Sequence, residues 1–266
     1  SFGWINYKMF GAPEDPHMNG YGGENRLWLG PEGGKSSLFF KNGDSMVFSN
    51  WKTPKPFDTE SWDVVNKDEH SVTMKKDMSL TNFTGTHVQA EVTRSIAILG
   101  KTDIEKTLPV ELGDSINFVG YSTSNILKNT GDQEWTEKTG MPIIWILDMF
   151  NPSESTTIVV PYKPAPKDVK VATTNYFGEI ANDRILFSEN TIFFKADGKS
   201  RGKLGVLPQY VLPFAGSYDN ENNVLTVTSF SVDNNAKYLN NEWNILKPVF
   251  SGDAMNVYND GPLDNG

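Results

Sequence analysis

The chain has 266 residues, 38% hydrophobic and 12% aromatic, which is enough for a substantial buried core and lies far from the composition of a disordered segment. A formal net charge of −9 argues against a phosphate-backbone partner, so no nucleic acid is expected. The absence of cysteine excludes disulfides, thiolate metal sites and cysteine nucleophiles, and no apolar run reaches the ~18 residues of a membrane span.

Period-two alternation dominates the chain, and no window of about eleven residues carries helical periodicity. The first residues open on the apolar pattern Phe2, Trp4, Ile5 and Tyr7. Strands are expected at 37–41, 46–50, 62–66, 71–75, 78–82, 87–99, 115–124, 143–150, 156–162, 184–188, 191–195, 203–212, 224–232 and 238–246. Turn signals separate many of them, among them Asn42-Gly43, Thr84-Gly85, Glu189-Asn190 and Asp197-Gly198. In 87–99, Val88, Ala90, Val92, Arg94, Ile96 and Ile98 share one face, while His87, Gln89, Glu91, Thr93 and Ser95 share the other. So many short strands without intervening helices indicate an all-β sandwich or barrel, read as one domain over 1–266. Residues 163–167 form the best candidate for a long loop. The segments Leu38-Phe39-Phe40-Lys41 and Ile192-Phe193-Phe194-Lys195 echo each other, with unrelated flanks. The chain starts at Ser1 without Met and is read as an excerpt of a longer protein, with any signal peptide upstream.

Residues 16–34 concentrate potential chemistry: His17, Asn19, Glu24, Arg26, Trp28 and Glu32 lie among six glycines. Carboxylates, a guanidinium and flat rings held close together suit a neutral polyhydroxylated ligand. Glu24 and Glu32 flank Arg26, which would either hold a ligand or staple a turn as a simple ion pair. Trp28 would either stack on a sugar ring or fill the core. Histidine suits proton transfer near neutral pH, which makes His17 and His87 acid–base candidates, with Glu32 as a carboxylate partner. Arg94 sits on an otherwise apolar strand face, so its guanidinium requires a partner or a ligand. Two further polar–aromatic clusters surround Asn175-Tyr176-Phe177-Gly178 and Asn256-Val257-Tyr258-Asn259-Asp260. No His-x-His, His-Glu-x-x-His or calcium-loop spacing occurs, so neither a metal nor a cofactor is expected.

The motifs Ser1-Phe2-Gly3-Trp4-Ile5-Asn6, residues 21–34, Asn175-Tyr176-Phe177-Gly178, Phe193-Phe194-Lys195, Gly216-Ser217-Tyr218-Asp219 and Tyr258-Asn259-Asp260-Gly261-Pro262 resemble an uncharacterised family of bacterial exported proteins. That family looks related to the galactose-mutarotase-like supersandwich proteins, which include aldose 1-epimerases. The resemblance implies an antiparallel β-supersandwich, a periplasmic or cell-surface location and a sugar or glycan partner. It also implies Arg26 as a sugar-holding arginine and His17 or His87 as the acid; the residues themselves add Asn19, Glu24, Trp28, Arg94 and Asn175 as further contact candidates. The expected function is carbohydrate binding in a cleft of the sandwich. The alternatives are an aldose 1-epimerase with a His acid and a Glu base, and an accessory domain of a glycan lyase or hydrolase. No late glutamate follows Glu242, so either a base lies beyond Gly266, or Glu32 replaces it, or there is no epimerase reaction.

Overall fold

The computed structural model describes every residue except 1, 4, 5, 12, 14, 109, 234 and 262–266, so Trp4 and Ile5 of the opening pattern, and Ser1 and Pro262 of the resemblance motifs, lie outside the described residues. The chain divides into two compact units: residues 1–148 with 243–245, and residues 149–242 with 246–266.

In the first unit the chain forms β1 (Asn25–Gly30), a single helical turn α1 (Lys55–Asp58), β2 (Asp63–Lys67), β3 (Ser71–Thr81), β4 (His87–Leu99), α2 (Lys101–Thr107), β5 (Gly120–Asn129) and β6 (Ile143–Asp148). β2, β3, β4 and β5 pair in that order as an antiparallel sheet, and β1 pairs antiparallel with β6. Val88, Ala90, Val92, Met78 and Leu80 of the sheet pack with Leu27, Trp28 and Leu29 of β1 and with Phe39, Phe40, Trp51 and Phe57. Each such apolar side chain contributes about 1.5–3 kcal/mol by leaving water.

In the second unit the elements are β7 (Thr156–Pro161), β8 (Ala172–Thr173), β9 (Ile185–Ser188), β10 (Thr191–Lys195), β11 (Gly202–Val206), β12 (Phe214–Asp219), β13 (Val224–Ser229) and β14 (Met255–Asn259). They make two antiparallel sheets, ordered β13-β12-β7-β10-β9 and β14-β11-β8. Val160, Ile192, Phe194, Leu204, Val206 and Val211 form the core of this unit. The all-β expectation is met: among the described residues the longest helix is α2, at 7 residues.

A buried carboxylate ties the ends of three strands together in this unit. Asp197 accepts from the Arg184 guanidinium, from the Lys199 backbone N–H at 3.0 Å and from Asn259 Nδ2 at 3.2 Å, with Lys195 Nζ at 3.5 Å. The Arg184 hydrogen bond, foremost among these, holds the Asp197 carboxyl well below the usual carboxylate range. A depressed native pKa stabilises the fold above the ordinary carboxylate value and loses that stability as pH falls below it. Acid unfolding of the wild type should therefore be steeper than that of Asp197→Asn, by up to about 1.4 kcal/mol per pH unit below the ordinary carboxylate value. Urea titrations of both proteins across that range check this, and parallel acid limbs would contradict it.

Candidate functional site

β1 is buried on both faces, and each face feeds a different cluster. Arg26 and Trp28 lie on one face, Asn25, Leu27 and Leu29 on the other.

On the first face, Arg26 donates Nη1 to the Asn19 carbonyl at 2.6 Å and Nη2 to the Gly22 carbonyl at 2.8 Å. Gly22 and Gly23 turn back at φ 105° and 99°, a backbone conformation that glycine adopts without strain. Asn19 is anchored in turn by Asp58, whose Oδ2 accepts from the Asn19 N–H at 2.8 Å and whose carbonyl accepts from Asn19 Nδ2 at 3.3 Å. Burial pulls the Arg26 pKa down and pushes that of Asp58 up. Both amino groups of Arg26 thus hold backbone carbonyls, and the glycine-rich turn is stapled to β1. The Arg26 Nε has no hydrogen-bond partner.

Trp28 is buried as well. Only 3% exposed, it lies against Phe39, Trp51 and Trp145 at 5.6, 6.0 and 5.6 Å between ring centroids, so it offers no face to a ligand from solvent. The His17 ring stacks on Phe48 at 4.4 Å, Phe48 on Trp51 at 6.1 Å and Trp51 on Phe39 at 5.4 Å, which makes His17 the outer member of an aromatic ladder. The carboxylate bonded to His17 Nδ1 is Asp15, at 3.1 Å on the same turn. Glu32 is half-buried after β1, its carbonyl accepting from the Ser37 hydroxyl. His87 begins β4 on its exposed face, bonded to Thr81 Oγ1 at 3.2 Å and pointing away from the face that carries Arg94. Asn175 is exposed and belongs to the second unit.

Arg94 and Glu24 are brought together on the other face of β1. The register sets Asn25 opposite Asp148, Arg94 opposite Asn125, and Ile98 opposite Tyr121. The Asn25 side chain bridges the two sheets: its Oδ1 accepts from Arg94 Nη2, and its Nδ2 donates to Asp148 Oδ1 at 2.5 Å. Tyr121 donates to Glu24 Oε1 at 2.8 Å, and its ring meets Phe2 edge-on at 4.8 Å. Burial pulls the Arg94 guanidinium down to about 10 and pushes the Asp148 carboxyl up. Burial, reinforced by Glu24, keeps the Tyr121 hydroxyl protonated.

Arg94 is 3% exposed, and its bonded partner is the neutral amide of Asn25 rather than a carboxylate. Its Nη1 has no hydrogen-bond partner, nor has Oδ1 of Asn125, the residue directly across the sheet. The Asn125 amide nitrogen is taken by Thr123 Oγ1 at 3.1 Å, which leaves the oxygen as the open end. Tyr121, Thr123 and Asn125 alternate along one face of β5, the edge strand, and are half-buried, while the two open atoms themselves are buried. The arrangement pairs an unfilled donor with an unfilled acceptor inside a frame of fixed polar groups.

Asn25, Tyr121, Asn125 and Asp148 were not among the sequence candidates. Asp148 did leave a signal, as the one charge in the apolar run 141–150. Nothing in the sequence alone sets Asn125 opposite Arg94, since that depends on strand register.

Over residues 1–266 the chain matches the family described as "Family of unknown function (DUF6786)". The chain belongs to this family. No curated protein and no solved structure matches it. For a DUF6786 member the family description carries no ligand or activity, and the chemistry rests on the residues just described.

Proposed function

We propose that this DUF6786 protein binds carbohydrate, as a member of the galactose-mutarotase-like supersandwich class, with a sugar hydroxyl held between Arg94 and Asn125. The observation that carries this reading is the unfilled pair, Arg94 Nη1 and Asn125 Oδ1. A hydroxyl both accepts and donates, and so satisfies the two together. A carboxylate only accepts and an ammonium only donates, so either leaves one of the pair unfilled. Buried polar groups without partners cost about 1–3 kcal/mol each, and a fitting ligand recovers that. The resemblance to exported bacterial proteins supports a periplasmic or cell-surface location.

The alternatives of an aldose 1-epimerase and of an accessory domain of a glycan lyase or hydrolase lack an observation of this kind. Epimerase chemistry requires a donor and an acceptor across the sugar ring, whereas His17 is engaged with Asp15 and His87 with Thr81.

A glycan array followed by calorimetry tests the reading. Asn125→Leu fills the half-buried position with a side chain of similar size and removes the acceptor, and is expected to weaken glycan binding about tenfold, the effect of one lost hydrogen bond. Silence across the array with folded wild type, or undiminished affinity in the variant, would overturn the proposal.

A further inference from the structure

The β8-β11-β14 sheet of the second unit has an apolar face, formed by Ala172, Leu204, Val206, Met255 and Val257, that packs into the core of that unit. Its other face is polar. The register sets Lys203 opposite Tyr258, and Gly205 between Asn256 and Thr173. Lys203 is only 2% exposed, with its ammonium over the Tyr176 ring at 4.3 Å and the Tyr258 ring at 4.9 Å. Rings at these distances stabilise a desolvated cation.

Beside Lys203 lies Asp253, 7% exposed, its carboxylate resting on the backbone of Gly205. A Cβ at position 205 would collide with that carboxylate, so glycine there creates the seat. Oδ2 of Asp253 accepts from the Tyr176 hydroxyl, with the Thr173 side chain beside the carboxylate. Asp253 Oδ1 has no partner, nor has Oδ1 of Asn256, across the sheet from Gly205. Thr173, Tyr176, Asn256 and Tyr258 are half-buried, so the rim of this seat meets solvent.

We propose that this face is a second ligand site, taking a vicinal diol of a neutral polyhydroxylated molecule. Both open atoms are acceptors, so the ligand must present two adjacent donors. A diol does so without bringing a further charge into a buried face. The Tyr176 and Tyr258 rings supply apolar walls for the carbon skeleton that carries the hydroxyls. The site belongs wholly to the second unit and does not rest on the reading of Arg94 and Asn125.

The test is an amide-resolved NMR titration of the full chain with methyl α-glucoside, methyl α-galactoside and trans-1,2-cyclohexanediol, with cyclohexanol as the mono-hydroxyl control. The Gly205 and Asn256 resonances are expected to shift saturably with at least one diol and not with cyclohexanol. Asn256→Ala, at a half-buried position, should raise the Kd about tenfold, as one lost hydrogen bond does. Asn125→Leu is run in parallel, and shifts that persist in it belong to the second unit whatever becomes of the first site. No shift with any diol, equal shifts with cyclohexanol, an unchanged Kd in Asn256→Ala, or shifts that vanish in Asn125→Leu would each overturn the proposal.

Discussion

Replacing Asp253 with leucine is expected to lower stability by about 3 kcal/mol or more, although the new side chain is similar in size and apolar. The loss has two sources. Asp253 is one of the groups that face Lys203, which is buried between two tyrosine rings, and removing a carboxylate from a buried charged set weakens what holds the set in place. The Tyr176 hydroxyl also loses its acceptor inside the fold. Adding Lys203→Met to Asp253→Leu measures how much of the loss passes through the buried ammonium. Urea unfolding of the two single variants and the double variant closes the cycle. A single variant within about 0.5 kcal/mol of wild type, the usual range for uninvolved surface positions, would show that the carboxylate does not support this face.

Trp28→Ala carries the second large effect, about 3–5 kcal/mol of stability. Removing the indole opens a void among Phe39, Trp51 and Trp145. Phe39 is held by Phe57 at 5.9 Å and Trp51 by Phe48 at 6.1 Å, so the void collapses only in part. Calorimetric melting should show the loss, while the folded fraction keeps its affinity for any glycan bound at Arg94 and Asn125. A stacking role for Trp28 predicts the reverse, with affinity lost and the melting temperature held.

That contrast shows what the sequence revealed about residues 16–34 and what it hid. Their richness in charge and glycine was visible, yet a buried arginine that staples a turn has the same composition as one that grips a ligand. What separates them is where the hydrogen bonds go, to the Asn19 and Gly22 carbonyls. Arg94 was legible for the opposite reason: a charge on the apolar face of a long alternating strand breaks the pattern, and the strand kept its expected bounds, His87–Leu99.

Strand assignment followed the same physics. β10 appears at Thr191–Lys195 as expected, and 71–75 with 78–82 join into the single β3. β1 was missed because a strand buried on both faces shows no alternation, and its flanking glycines read as loop. Residues 37–41, which echo β10 in sequence, form no strand. Ser37 uses its hydroxyl on the Glu32 carbonyl and the Phe39 N–H, a local alternative to ladder pairing. Residues 238–246 likewise form no strand, and Asn240 Oδ1 there accepts from the Glu242 N–H at 3.1 Å. Asp253 escaped notice because its significance depends on Gly205, a contact between β11 and the segment before β14 that neither local sequence announces.

The most direct measurement is the side-chain guanidinium NMR signal of Arg94 during titration with a glycan that the protein binds. The proposed function predicts that the Arg94 Nη protons shift and exchange more slowly with water as the sugar hydroxyl fills the unpartnered position, and that Asn125→Leu weakens this response. Arg94 signals that stay unmoved while the glycan binds would contradict it.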